Sequence, residues 1–308
     1  MTYDSNKSNV VPSVANPSSY SVKTLAQELR NFQNIMEGMQ RILDTGRHFI
    51  QRGNLEAYAE STQLNGILGG DYCRIFDPSI EYNLQERIEK ARSEGKHDLA
   101  GRLKENEDGI LVAVSDVFGH SMTDASLSLA IDFFLEASIP YELEINGRVT
   151  PAVFDSLNFL LKNRLPTGKH ITSICAEISQ SGKVRFVNSG HPMPLIYRGE
   201  QDKIELLDYE LYHSTPPWGC KEGMDYKINR THLYPGDILI IYTDGVSEHG
   251  THREVPLKGF HFPETIEERV KVLKDLDAGE IGIGLRDLLP EKGPLIDDAT
   301  IVVVKKTS

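Results

Sequence analysis

The spacing of apolar residues changes several times along the chain, and each change marks an element. Leu25, Leu29, Phe32, Ile35, Met36, Met39, Ile42 and Leu43 recur every three or four residues, the period of an amphipathic helix, with Ser21 placed to cap it. We assign this helix to 21–52. Its apolar stripe needs cover, either from the domain that follows or from a second copy of itself. From Leu55 the period shortens. LEAYAEST and YCRIF read as strands separated by the turn-forming GILGG. The stretch 83–107 is dense in charge and poor in large apolar residues, so we read a solvated helical insertion at about 77–108, interrupted near Gly95. Surface decoration is preferred for it over a partner-binding role. ILVAVSDV then reads as a buried strand ending on an acid.

Residues 122–137 and 151–163 have helical spacing, and 263–275 and 279–288 are also expected to be helical. ITSICAEIS, KVRFVNSG, PLIYRG, KIELLD, DILIIYTDG and ATIVVVKK read as later strands. Strands, helices, a run of strands, helices and a final strand do not make a regular alternation. The order points to an α+β fold with largely antiparallel sheets covered by helices. No internal repeat, GxxxxGK[ST] loop or strand-linked GxGxxG is present, so nucleotide-binding folds have no support. Residues 1–20, rich in Ser, Asn and Pro, read as a disordered tail. The domain is expected to occupy 53–308.

Composition narrows the class of function. The 308 residues are 39% apolar and 25% charged, ordinary for a soluble globular protein. No apolar run reaches the roughly 18 residues that span a bilayer, and the N-terminus lacks a signal-peptide pattern. No membrane association and a cytoplasmic location are expected. Cys73, Cys175 and Cys220 are scattered, which argues against a disulfide framework or a thiolate zinc site. A formal charge of −12 disfavours a nucleic-acid surface.

The candidate chemistry is carried by acids at strand ends beside turn residues: Asp71 in GGDY, Asp116 in VSDVFGHS, Asp244 in IIYTDGVSE and Asp297–Asp298 in LIDDATIVVV. A carboxylate there is costly to desolvate unless it is paired or binds a cation. Such acids, with a carbonyl and waters, suit hard divalent ions, and two such ions can clamp a phosphoryl group. Turn and cap aspartates are the competing reading, and the pattern alone leaves the reaction open.

Five segments, in order, resemble the SpoIIE-type branch of the PPM (protein phosphatase 2C-like) superfamily. GGDY is similar to its GGD-aromatic motif, SDVFGHS to DVSGHG, NSGHPMPLIYRG to AGHPPPLL, PGDILIIYTDGVSE to PGD…LYTDGVTE, and DDATIVVV to its terminal DDAT strand. The resemblance runs from about Leu55 to Lys305. It implies a β-sandwich of two antiparallel sheets flanked by helices in α-β-β-α layers. It also implies two Mn²⁺ or Mg²⁺ ions, one held by Asp116, Asp244 and Asp297, the other by Asp71, Asp116 and the Val117 carbonyl. Asp298 is a less secure ligand, more readily a local turn residue. A water activated by the metals would hydrolyse phosphoserine or phosphothreonine on a regulatory protein. In the family this is typically a STAS-type anti-sigma factor antagonist in a partner-switching pathway.

The chain departs from the family at three positions. Arg74 stands where another Asp is common, Phe118 where Ser is usual, and Ser121 where the motif ends in Gly. Arg74 and His120 are candidate phosphate contacts, although His120 reads more simply as a loop histidine. His191 reads as structural and Trp218–Gly219 as loop packing. The alternatives to an active phosphoprotein phosphatase are a catalytically weak docking module and a hydrolase of small phosphate esters. Regulation is expected through the N-terminal helix, as a homodimer contact or the site of an activator protein, or through the insertion.

Overall fold

The computed structural model describes residues 27, 30–32, 34–35, 48–64, 69–119, 122–165, 168–250 and 260–308. Two antiparallel sheets stack between two layers of helices. The first sheet has the strand order β1-β2-β11-β10-β7-β8: His48–Arg52, Leu55–Thr62, Ala299–Lys306, Ile238–Tyr242, Leu195–Arg198 and Lys203–Leu206. The second is β3-β4-β5-β6-β9: Tyr72–Phe76, Ile110–Val117, Ile171–Ile178, Lys183–Ser189 and Asn229–His232. Helices α1 (Pro78–Glu81), α2 (Leu84–Ser93), α3 (His97–Glu107), α4 (Met122–Asn146) and α5 (Pro151–Lys162) belong to the second sheet's side. The short α6 (Asp244–Ser247) follows β10, and α7 (Glu264–Leu273) and α8 (Ala278–Lys292) cover the first sheet.

Strand residues point alternately to opposite faces, and that period sorts the core into three layers. On β4, Ile110, Val112 and Val114 enter the space between the sheets, while Leu111, Ala113 and Val117 meet the helices. On β10, Leu239 and Ile241 face between the sheets, and Ile238, Ile240 and Tyr242 face α7 and α8. The strands buried on both faces, β4, β10 and β11, are the chain's most apolar runs, as burial on both sides requires.

Several sequence expectations change. The helix assigned to 21–52 does not reach its proposed end, because His48–Arg52 is strand β1. Gly53–Asn54 is a two-residue hairpin connection, pairing Arg52 with Leu55. Within the rest of the helical assignment, residues 27, 30–32 and 34–35 are helical, and Phe32 and Ile35 are exposed. The remainder of that stripe, and the tail at 1–20, lie outside the described residues.

The insertion is helical and breaks at Glu94–Lys96, but it is not a solvated decoration. Leu84, Ile88, Ala91, Ala100 and Leu103 are buried in the same core as Ile139 and Leu143 of α4. This contact accounts for α4 running past 137 to Asn146, through Pro140. Burial of Ile139 and Leu143 outweighs the local cost of a proline within the helix. Strand β9 was missed because NRTH is short and polar, and it pairs only with β6 at the sheet edge. Among the described residues no helix is long and apolar enough to cross a membrane.

Candidate metal centre

The pleat that builds the core also gathers the acids. Asp71 shares the inter-sheet face of β3 with Cys73 and Ile75, and Asp116 shares that of β4 with Val112 and Val114. Thr243 continues the row of Leu239 and Ile241, Thr300 that of Val302 and Val304, and Ser61 that of Ala57 and Ala59. At one end of the sandwich the apolar filling therefore gives way to five polar side chains, with Asp71 contributed by the second sheet and its hydroxyl partners by the first.

Asp71 is buried. The hydroxyls of Thr243 (2.8 Å) and Thr300 (2.7 Å) both donate to its Oδ2. Thr243 Oγ1 in turn accepts the Thr300 backbone N–H at 2.9 Å, and Thr300 Oγ1, its one hydrogen given to Asp71, accepts from the Ser61 hydroxyl at 2.8 Å. Burial first, then the charge of Asp116, hold the Asp71 carboxyl well above the ordinary range. The two threonine hydroxyls offset part of that rise.

Asp116 is pushed up to about 8, by burial first and then by the charges of Asp244, Asp297, Asp298 and Glu248. The described acids are thus electrostatically one group. They do not form a closed cage: among the described residues, no three acidic, histidine or cysteine side chains converge tightly enough to ligate a single ion as they stand. The donor set nevertheless fits a hard divalent cation. It is all oxygen, largely carboxylate, and it places mutually repelling charges where an ion would relieve them.

Close backbone approach is built in at two glycines. A Cβ at Gly70 would stand 2.5 Å from the Gly119 carbonyl oxygen and 2.7 Å from that of Val117. The glycine before Asp71 is what lets the GGD loop lie against the Val117 carbonyl, the backbone ligand expected from the motif. A Cβ at Gly245 would fall 2.0 Å from the Asp298 carbonyl oxygen, so the glycine after Asp244 lets that turn pack on the Asp297–Asp298 pair.

Asp298 has a different occupation from its neighbours. Its Oδ1 accepts the Leu64 N–H and its Oδ2 the Gly70 N–H, each at 2.7 Å. It clamps both ends of the connection that carries GGD, which favours the positioning role over ligation. Asp297 Oδ1 accepts the Asp298 N–H at 2.8 Å.

Arg74 does not reach the acidic end. It alternates with Asp71 on β3 and shares the helix-side face with Tyr72 and Phe76. There its guanidinium lies 4.4 Å from the Phe76 ring centroid and pairs with Asp132 (3.1 Å), Glu81 (3.1 Å) and Glu136. A phosphate contact is not supported for it. His120 and Ser121 lie outside the described residues. His191 is fully buried, its Nδ1 2.9 Å from Thr172 Oγ1, and burial pushes it down to about 3, so the ring is a neutral structural group. Trp218 is buried against Phe154 and bridges to Ile171, as loop packing requires.

The sequence reading passed over Thr243 and Thr300, although both sit inside motifs, in YTDG and DDAT. It also passed over Glu248 and over Ser128, whose hydroxyl donates to the Gly70 carbonyl at 2.5 Å. Nothing local to Ser128 marks it, because its role exists only once α4 packs on the GGD loop.

Comparison with known proteins agrees with this architecture. Residues 106–307 match the family model described as Stage II sporulation protein E (SpoIIE). The chain is 25% identical over 176 residues to the phosphoserine phosphatase RsbP of Bacillus subtilis, covering 56% of this chain and 42% of RsbP. It is 23% identical over 204 residues to the phosphoserine phosphatase RsbU of the same organism, covering 65% and 57%. The chain thus spans about half the length of these curated relatives. Among solved structures, the phosphatase domain of SpoIIE from Bacillus subtilis with a fragment of its regulatory domain aligns with a TM-score of 0.60 at 21% identity, over 84% of this chain and 63% of that one. The SiaA PP2C domain of Pseudomonas aeruginosa aligns with a TM-score of 0.59 at 16% identity, over 92% and 97%. These structural likenesses establish a shared fold.

Proposed function

The chain belongs to the SpoIIE family, and from that premise we propose that it is a metal-dependent phosphatase acting on phosphoserine or phosphothreonine of a regulatory protein. The observation that carries the reading is the environment of Asp116, whose strongest electrostatic neighbours are Asp244, Asp297, Asp298 and Glu248, all acids. A buried group of mutually repelling carboxylates suits divalent ions, Mn²⁺ or Mg²⁺, which would relieve the repulsion.

Asp116, Asp244 and Asp297 are the proposed ligands of one ion, and Asp71, Asp116 and the Val117 carbonyl those of a second. When bound, such ions would acidify a water and neutralise charge on the phosphoryl group. The chain's own residues would do the rest. Thr243 and Thr300 fix the Asp71 carboxylate through Oδ2. Asp298 fixes the GGD loop, and Gly70 admits the Val117 carbonyl. Hydroxyls and backbone groups around ligating carboxylates orient them, and their loss typically weakens a site by about 10- to 100-fold.

A STAS-type anti-sigma factor antagonist is the proposed substrate class, supported by the resemblance of the five motifs and by relatives that are phosphoserine phosphatases. The test is phosphate release from a phosphoserine STAS-type protein with Mn²⁺, with Mg²⁺ and with EDTA, beside an Asp244→Ala variant. Metal-dependent release lost in that variant supports the proposal. Tight substrate binding without release under either ion would favour the docking module instead. Faster turnover of small phosphate esters than of the phosphoprotein would favour the small-ester hydrolase.

The N-terminal helix is proposed as a homodimer contact or activator site, because Phe32 and Ile35 are exposed. Removal of residues 1–47 that leaves oligomeric state and activity unaltered would contradict this.

A further inference from the structure

Phe118 replaces the serine usual in the DVSGHG motif and stands two residues beyond Asp116. Its side chain is 59% exposed. Single exposed apolar residues are common on protein surfaces and need no explanation. Phe118 differs in how firmly it is held. Its ring stacks on His170, with centroids 4.8 Å apart and planes 19° from parallel. Its backbone N–H donates to the His170 carbonyl at 3.1 Å. Its own carbonyl accepts Lys169 Nζ at 2.8 Å, and that ammonium is anchored at 2.6 Å by the buried Asp124. Lys169 Nζ also lies 6.0 Å from the Phe118 ring centroid.

These contacts brace one face of the ring and both backbone polar groups, and leave the rest of the ring in water. An exposed aromatic that is already ordered loses little conformational entropy when a partner covers it, which is the property of an interface anchor. Its position ties it to the reaction rather than to a remote interface. A strand advances about 3.3 Å per residue, so a substrate extended across the acidic end would bring residues close to the phosphorylated one onto this ring.

We propose that Phe118, backed by His170, is a specificity-determining residue that selects substrates with an apolar side chain within about three residues of the phosphorylated serine or threonine. This rests on the phosphatase reading above and adds the local character of the substrate. Lys169 and Asp124 are positioning residues for the ring, acting through the Phe118 carbonyl.

The test compares two phosphoserine peptides that differ only in the residues flanking the phosphoserine, leucine in one and serine in the other. The measured quantity is the ratio of their kcat/KM values with Mn²⁺. A ratio of about 10 is expected for the wild type, the scale on which an apolar contact discriminates. It should fall to about 1 in Phe118→Ala, with Phe118→Leu and His170→Ala between the two. A wild-type ratio near 1, or a ratio unaltered in Phe118→Ala, overturns the proposal. If the wild type releases phosphate from neither peptide with Mn²⁺ or Mg²⁺, the phosphatase reading fails separately. Anisotropy of the same labelled peptides on the Mn²⁺-loaded proteins then gives the ratio as binding constants, and the same two outcomes support or overturn the role of Phe118.

Discussion

In the helical layer over the second sheet, acids find cations within the chain. Glu144 of α4 is met by Arg87 and Lys90 of the insertion, and Asp132 by Arg74. At the open end of the sandwich, Asp116 meets chiefly other acids, and its carboxyl is driven up to about 8. Both regions present Asp and Glu, and composition does not separate them. What separates them is the charge brought to particular acids: Arg and Lys to Asp132 and Glu144, chiefly other acids to Asp116. In the first case the charge holds helices together. In the second the carboxylates repel, and an ion from solution can relieve that repulsion.

The sharpest way to break the contrast is Asp116→Asn. We expect activity to fall by at least about 10²–10³-fold, the scale felt when one charge-stabilising group is removed from an active site. The same change should stabilise the protein in EDTA. The Asp116 carboxyl lies above its ordinary value, so the folded state holds more protons than the unfolded state between about pH 4 and 8. Wild-type stability therefore declines as pH rises through that window, and the asparagine variant shows a smaller decline, because buried Asp71 keeps a raised carboxyl of its own. Melting curves in EDTA at pH 6 and pH 8 check the sign. A variant that melts lower than wild type at both values would place Asp116 with the internally paired acids.

The helical layer should behave in the reverse sense. Ile88→Ala or Leu103→Ala removes a fully buried side chain from the core shared with α4 and should cost about 2–5 kcal/mol in urea unfolding. A loss below about 1 kcal/mol would return the insertion to the solvated decoration that its charge suggests. Thr300→Val is expected to be milder. It leaves Asp71 with one hydroxyl donor in place of two, at a cost of about 1–3 kcal/mol, and weakens Mn²⁺ binding by roughly 10-fold or more. Equal Mn²⁺ affinity in the variant, measured by calorimetry, would remove Thr300 from the support of the site. Lys90→Ala is the smallest: an exposed pair with Glu144 should leave the urea midpoint unmoved.

Much of the molecule was legible because the pleat and the motifs agree. Strands β2, β3 and β4 fall where alternation and apolar runs put them. Asp71 and Asp116 follow as the next residues on faces already assigned to the core. The errors have one physical origin, contacts that are remote in sequence. His48–Arg52 carries an apolar spacing compatible with a helix, yet pairing with β2 through Gly53–Asn54 makes it a strand. Residues 138–146 hold a proline, yet burial under α2 and α3 keeps them helical. Arg74 is two residues from Tyr72, and only the pleat and the acids on α1 and α4 show that it turns from the acidic end. Thr243 and Thr300 looked like ordinary motif residues until the two sheets met around Asp71.

The central claim is that the acids around Asp116 are a divalent-cation site. It is tested most directly by calorimetric titration of Mn²⁺ into the full chain and into Asp116→Asn after EDTA treatment and removal of the chelator. Saturable binding in the wild type that is lost in the variant is the predicted result. No saturable binding in the wild type, or equal binding in both proteins, would contradict the account.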